Sequence, residues 1–132
     1  MSLDFSVLLP YKGLLPAALL ITIEIGVIGF ILAVCISTIV GTLRSRKLPK
    51  VFEVLLGIYV EIFRCTPLLV QLFFVYYGLP TLGIRIEPVT AAIFTMGFNS
   101  GAYLSENVRG AILSVDKGQY EAAKMLGYNA LQ

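Results

Sequence analysis

Glu61 and Arg64 stand three residues apart, just before Thr66-Pro67, in a stretch that is otherwise apolar. That spacing puts both charges on one face of a helix. Pro67 offers no N–H to the carbonyl of Phe63 and pushes Thr66 away from α geometry, so a helix here is kinked or broken just past the pair. Gln71, one turn beyond the proline, adds another polar group. Charged, broken helices are tolerated in hydrocarbon only where protein or water surrounds them. A stretch with these features, Glu61 to Gln71, fits the description of a pathway. A structural ion pair beside a proline kink is the other reading of the same residues.

Asn99 and Ser100 are adjacent polar residues in a second apolar stretch. Such side chains serve as glue between helices or line the same path. Glu106 lies near the end of that stretch and can pair with Arg109 at three residues' spacing. Glu24 falls near the middle of the first apolar stretch, where a carboxylate is a functional candidate or is packed in its protonated form. Small residues mark two packing faces. Gly29, Ala33, Ser37 and Gly41 recur every fourth residue, and Gly97 and Gly101 form a GxxxG; both patterns let another helix approach closely.

Other chemistries are not supported. The chain has no His, no cluster suited to a metal, and no nucleophile–base pair. It has no Gly-rich loop to cradle phosphate, so it is not expected to hydrolyse ATP or act as an enzyme. A net charge of +2 without a basic run does not suggest nucleic acid. Cys35 and Cys65 are too few for a disulfide framework and sit in apolar sequence as small hydrophobes.

The elements that hold these residues follow from composition. Hydrophobic residues make up 58% and charged ones 14% of the 132 residues, against about 25% charged in soluble domains. Between Gly13 and Leu43 the only charge is Glu24; Cys65 to Ile84 and Pro88 to Ser105 carry none. Each stretch reaches the roughly 17 to 25 residues a membrane helix needs. The sequence predicts an all-α integral membrane protein of one domain over 1–132, with spans at about 14–40, 51–77 and 88–108. The first apolar run is too long for a signal peptide and reads as a retained span. Gly78, Pro80 and Gly83 break the second. Arg44, Arg46, Lys47 and Lys50 crowd the first connection, whereas the second carries only Arg85 and the N-terminal segment only Lys12. The positive-inside rule then puts the 44–50 loop and the C-terminal segment in the cytoplasm and the N-terminus outside.

Beyond the third span, Ala122, Met125, Leu126 and Ala130 form an apolar stripe, with Lys117, Glu121 and Lys124 on the other side. This predicts a short amphipathic helix over about 117–130, ended or bent at Gly127. Such a helix lies on a bilayer or docks into a partner's groove; Ala122 and Ala123 favour close docking.

Three motifs together resemble one family. Glu121-Ala-Ala-x-x-x-Gly127, preceded by Lys117-Gly-Gln, is similar to the start of the coupling-helix (EAA) motif of ABC importer permeases. Tyr59-x-Glu-x-x-Arg-x-Thr-Pro-Leu-Leu-Val-Gln71 and Gly101-Ala-Tyr-x-x-Glu-x-x-Arg-Gly110 resemble its polar amino acid branch, the histidine/glutamine/arginine type. The resemblance covers nearly the whole chain. It implies an N-terminal part of the MetI-like permease fold: three transmembrane helices plus the cytoplasmic coupling helix, in a multi-pass protein of the cytoplasmic (inner) membrane. It implies a second permease subunit, identical or not, ABC ATPase subunits and an extracytoplasmic amino acid-binding protein, with membrane lipid around them and a polar amino acid as substrate. ATP and Mg would be used by the ATPase, with no cofactor on this chain. Glu121, Ala122, Ala123 and Gly127 would meet the ATPase. Glu61 would face the central cavity, Arg64, Thr66 and Pro67 would shape it, and Asn99 and Ser100 would lie nearby. Cys65 stands where the family usually has Gly. The family motif continues beyond Gly127 to an Ile-x-Leu-Pro stretch and further spans, so the sequence reads as a partial subunit.

Two other classes compete. A small three-span interaction or anchor protein would use the amphipathic helix only to recruit a cytoplasmic partner. A channel subunit not driven by ATP fits the polar spans but leaves the Glu-Ala-Ala helix unexplained.

Overall fold

The computed structural model describes residues 11–129, and they form helices and connecting turns. Helix α1 runs Leu14–Arg44, α2 Lys50–Cys65, α3 Leu68–Phe73, α4 Pro88–Leu113 and α5 Lys117–Met125. Among the described residues α1 is the one helix long and apolar enough to cross a membrane by itself. Its 31 residues extend about 46 Å at the α-helical rise. Arg44 in the last turn complements the helix dipole. Pro49, in extended geometry, starts α2, and Glu53 sits favourably in its first turn.

The second apolar stretch is not one helix. α2 stops at Cys65, Thr66 is extended at φ −111° and ψ 138°, and α3 starts after Pro67. The two segments meet at 106°. The kink expected at Pro67 is therefore a full elbow, and the single stretch at 51–77 becomes two arms. The second arm also runs further than expected. Gly78 does not stop it: the winding widens to a π turn over Phe74–Gly78 and tightens to a 3-10 turn over Leu79–Leu82. Gly83 ends it with φ +86°, a left-handed conformation that glycine takes without steric penalty.

α1 and α4 make the principal helix pair, and small residues allow it. Gly29, Ala33, Ser37 and Gly41, with Val40, are the buried residues of α1, so the four-residue recurrence faces α4. Gly97 and Gly101 are buried on α4 with Ala91, Thr95, Ala102 and Ser105. A Cβ on Gly41 would lie 2.6 Å from the carbonyl oxygen of Ser105 and 2.7 Å from Cβ of Val108. One on Gly97 would lie 2.6 Å from Leu32, and one on Gly101 2.9 Å from Ile36. Residue numbers rise together along both helices, so α1 and α4 run parallel. The buried hydroxyls stay within their own helices: Ser37 donates to the carbonyl of Val34, Thr95 to that of Ala91, and Ser105 to that of Ala102. Such back-bonding satisfies a hydroxyl without a partner helix.

At the far end of the pair, Arg44 forms an ion pair with Glu106. Arg109 donates from Nε to the carbonyl of Arg44 at 3.2 Å and approaches Glu106 at 3.8 Å. Glu106 thus has the expected i+3 neighbour, but its closer partner is on another helix.

The close approach yields a test. Gly41→Ala should destabilise the protein by about 1–3 kcal/mol through overpacking, read as thermal unfolding in detergent. Gly26→Ala, on the same helix with nothing within 4 Å of its Cβ position, should be neutral or stabilising by up to about 1 kcal/mol. Equal effects at both positions would mean that these small residues do not set the approach of α1 to α4.

Candidate functional site

The elbow leaves backbone groups without helical partners. Proline has no N–H, so the carbonyl of Phe63 loses its helical donor, and the extended Thr66 takes the next turn out of register for the carbonyl of Arg64. A carbonyl left unpaired away from water is costly. Side chains answer both. Gln71 donates from Nε2 to the Phe63 carbonyl at 3.0 Å, and Asn99 from Nδ2 to the same oxygen at 2.9 Å. Tyr103 donates its hydroxyl to the Arg64 carbonyl at 3.0 Å.

These groups are also tied to one another. Asn99 Nδ2 reaches Gln71 Oε1 at 3.2 Å. Gln71 Nε2 also meets the Thr66 carbonyl at 3.0 Å and Thr66 Oγ1 at 2.6 Å. The Thr66 hydroxyl in turn donates to the carbonyl of Ile62 at 2.6 Å. One amide on α3 therefore spans the break, while Asn99 and Tyr103, four apart on α4, grip it from the neighbouring helix. Tyr59 adds a tie in the opposite sense, donating to the carbonyl of Phe98 at 2.7 Å. Its ring packs with Phe63 and Phe98, at centroid distances of 5.0 Å and 6.3 Å.

The charged pair behaves differently from its spacing. Among the described residues the ion pairs are those of Glu106 with Arg44 and Arg109. Glu61 and Arg64 do not pair, so the structural ion-pair reading fails. Arg64 instead lies over the ring of Tyr103, 5.5 Å from its centroid, a cation–π distance. Glu61 is exposed. Of the expected path residues, the fold brings Arg64, Thr66, Pro67, Gln71 and Asn99 together. Ser100 stays out of the network: it is exposed and lies about 100° around α4 from Asn99. Glu24 and Cys35 are exposed on α1 and take no part in the elbow's hydrogen bonds. Sequence reasoning missed Tyr59 and Tyr103. The available signal was a phenol hydroxyl in apolar sequence, which seeks an acceptor.

The second candidate region is α5. The Asp116 side chain caps it, accepting from the N–H of Gly118 at 2.6 Å. The helix stops at Met125, short of the expected 130. Gly127 has φ +79°; its N–H bonds the carbonyl of Lys124 at 3.0 Å, and the N–H of Tyr128 bonds that of Ala123 at 3.1 Å. This is the Schellman pattern, which needs a left-handed residue where Gly127 stands. Met125 is 89% and Leu126 76% exposed, so the apolar stripe is uncovered; its expected last member, Ala130, lies outside the described residues. Glu121 and Ala122 are exposed too. Ala123 faces inward, onto an open cleft of about 910 Å³ lined also by Thr42, Arg46 and Tyr120.

The elbow network predicts a coupled loss of stability. Gln71→Leu and Asn99→Leu should each cost about 1–3 kcal/mol, the penalty of stranding a buried polar partner. The double variant should depart from additivity by about 0.5–3 kcal/mol, because both donors share the Phe63 oxygen. A thermal-unfolding cycle with strictly additive losses would show that the two amides act independently.

A model of the family "binding-protein-dependent transport system inner membrane component" matches residues 25–132. The chain is similar to the probable amino-acid ABC transporter permease protein PatM of Vibrio harveyi, 36% identical over 100% of this chain and 60% of PatM. It is 38% identical to the arginine transport system permease protein ArtQ of Bacillus subtilis, over 96% of this chain and 58% of ArtQ. It is also 38% identical to the glutamine transport system permease protein GlnP of Escherichia coli, over 96% of this chain and 58% of GlnP. The chain thus spans about 60% of the length of these curated relatives. A crystal structure of an amino acid ABC transporter with histidines superposes with a TM-score of 0.83 at 33% identity, covering 99% of this chain and 61% of that one. The all-helical permease fold is therefore shared, and this chain belongs to the family of binding-protein-dependent transport system inner membrane components.

Proposed function

We propose that this chain forms part of the permease subunit of an ATP-binding-cassette importer that moves polar amino acids across the cytoplasmic membrane. The observation that carries the reading is the family match over residues 25–132, joined to relatives whose names are those of amino acid permeases. A partner ATPase would bind and hydrolyse ATP with its Mg ion. A second permease subunit and an external amino acid-binding protein would complete the assembly.

In this reading the chain is multi-pass, with its N-terminus outside and three crossings carried by α1, the elbowed α2–α3 segment and α4. Two observations support that course. α1 and α4 run parallel, so the segment between them has to return across the same thickness. The 44–50 connection, with its four Lys and Arg residues, suits the cytoplasmic side. α5 then emerges into the cytoplasm as the coupling helix. Glu121, Ala122 and Ala123 would dock on the ATPase, and the left-handed Gly127 would set the direction in which the chain leaves the helix.

The substrate would pass the elbow. Glu61, exposed and without an ion-pair partner among the described residues, is free to meet an ammonium group. Arg64, Thr66, Pro67, Gln71 and Asn99 would shape the passage, with Ser100 at its margin.

The decisive experiment is uptake of radiolabelled amino acids by the full-length protein, reconstituted with its ATPase and binding protein. ATP-dependent uptake is expected; none with an intact, inserted complex would sink the importer reading. In the same assay Gly127→Val should lower uptake while leaving insertion intact, because a β-branched residue resists the left-handed conformation. Parental uptake in that variant counts against docking at α5. The elbow has its own probe. A thiol reacts as the thiolate, which needs water. Cys65 should therefore react with a small charged methanethiosulfonate in membranes, and Cys35 should not. Equal protection of both thiols would remove the elbow from an aqueous path.

A further inference from the structure

We propose that Tyr103 is a positioning residue that ties α4 to Arg64, so that displacement of α4 moves the elbow. The inference rests on the reading of α5 as the docking helix, and it concerns how that helix acts on the substrate path.

Three observations carry it. First, α4 is one unbroken helix from Pro88 to Leu113, and only residues 114–116 separate it from α5. A push on α5 is thus delivered to a rigid rod. Second, α4 holds its neighbours in two different ways. It meets α1 along most of its length through close-packed glycines and alanines, with the Arg44–Glu106 ion pair and the Arg109 bond to the Arg44 carbonyl at the far end. It meets the end of α2 through directed hydrogen bonds: Tyr59 to Phe98, Asn99 to Phe63 and Tyr103 to Arg64. Third, Tyr103 engages Arg64 twice. Its hydroxyl holds the backbone carbonyl at 3.0 Å, and its ring lies under the guanidinium, 5.5 Å from Cζ to centroid. Arg64 has no carboxylate partner among the described residues, so the ring of Tyr103 is the group that fixes where its charge sits.

Tyr103 is half-exposed on α4, and its hydroxyl is committed to the Arg64 carbonyl. A phenol at the surface of α4 holds the Arg64 carbonyl, which the extended Thr66 leaves out of register with its helical donor. Asn99, one turn earlier, takes the preceding carbonyl. The pair grips two consecutive residues, Phe63 and Arg64, and constrains both the position and the tilt of the last turn of α2. If α4 shifts along or about its axis, Arg64 follows.

The test uses the full-length permease assembled with its ATPase and binding protein in proteoliposomes. Tyr103→Phe keeps the ring under Arg64 and removes only the hydroxyl. Uptake per ATP hydrolysed should fall about threefold to tenfold, the scale of one hydrogen bond, with assembly and ATPase rate at parental levels. A parental ratio overturns the proposal. So does a proportional fall in uptake and ATPase, which is what a purely structural role produces. Should Tyr103→Phe fail to assemble, Arg64→Gln deletes the stacked charge and leaves the carbonyl; a parental uptake-to-ATP ratio there overturns the proposal as well. A parental complex without ATP-driven uptake removes the importer reading and this inference together, whereas normal parental coupling with an unaffected Tyr103→Phe ratio removes only the role of Tyr103.

Discussion

A backbone carbonyl in apolar surroundings has to accept a hydrogen bond, and Pro67 takes away the donor that the carbonyl of Phe63 would have had. Much of the middle of the molecule follows from this. Gln71 and Asn99 are where they are because the Phe63 oxygen lies 3.0 Å and 2.9 Å from their amides. Thr66 is extended because it precedes proline, and its hydroxyl closes the end of α2 on Ile62. The break could have left several polar groups stranded. Instead, no buried side-chain nitrogen or oxygen among the described residues lacks a partner. A network satisfied in this way favours one geometry at the elbow.

That solution needs α4 close at hand, and α1 supplies the reason it is. The glycines at 41, 97 and 101 remove the side chains that would keep the two helices apart. In hydrocarbon there is no gain from burying apolar surface between helices, so contact area and backbone proximity decide which faces meet. The Arg44–Glu106 pair closes the far end of the same interface. With α4 pinned along α1, the face bearing Asn99 and Tyr103 is turned toward the elbow. The packing stripe thus works at a distance, since it fixes the helix from which the elbow is held.

The local parts of this arrangement were legible in the sequence. The donor lost at Pro67, the small-residue faces and the end of α5 near Gly127 each depend on a few neighbouring residues. The long-range parts were not. Tyr103 and Arg64 are 39 residues apart, and Arg44 and Glu106 are 62 apart. Spacing suggested a Glu61–Arg64 pair, yet the guanidinium found an aromatic face on another helix instead. Composition also hid the elbow. Cys65 to Ile84 carries no charge, and an apolar run looks the same whether the chain goes straight on or turns through 106°. The direction after a proline is set by what binds the freed carbonyls, and those partners lay elsewhere in the chain.

The two kinds of contact made by α4 imply different mechanical behaviour. Close packing of small residues loses its dispersion contacts over a gap of 0.5–1 Å, and it has few alternative arrangements to move into. The α1–α4 pair is therefore best treated as one body. Hydrogen bonds from side chains to freed carbonyls can be exchanged, since amide, hydroxyl and carbonyl groups all find substitutes in water or in a polar solute. Away from the Arg44–Glu106 end, the exchangeable contacts of α4 are concentrated at the elbow, next to a carboxylate without an ion-pair partner among the described residues and a guanidinium held over a ring. In the proposed importer, a solute entering there would compete for the bonds that set the angle between α2 and α3, so binding it and changing that angle would draw on the same few groups. Under that proposal a broken helix would serve transport better than a continuous one. The carbonyls freed by the break would be ready ligands, because side chains that a solute could displace already satisfy them.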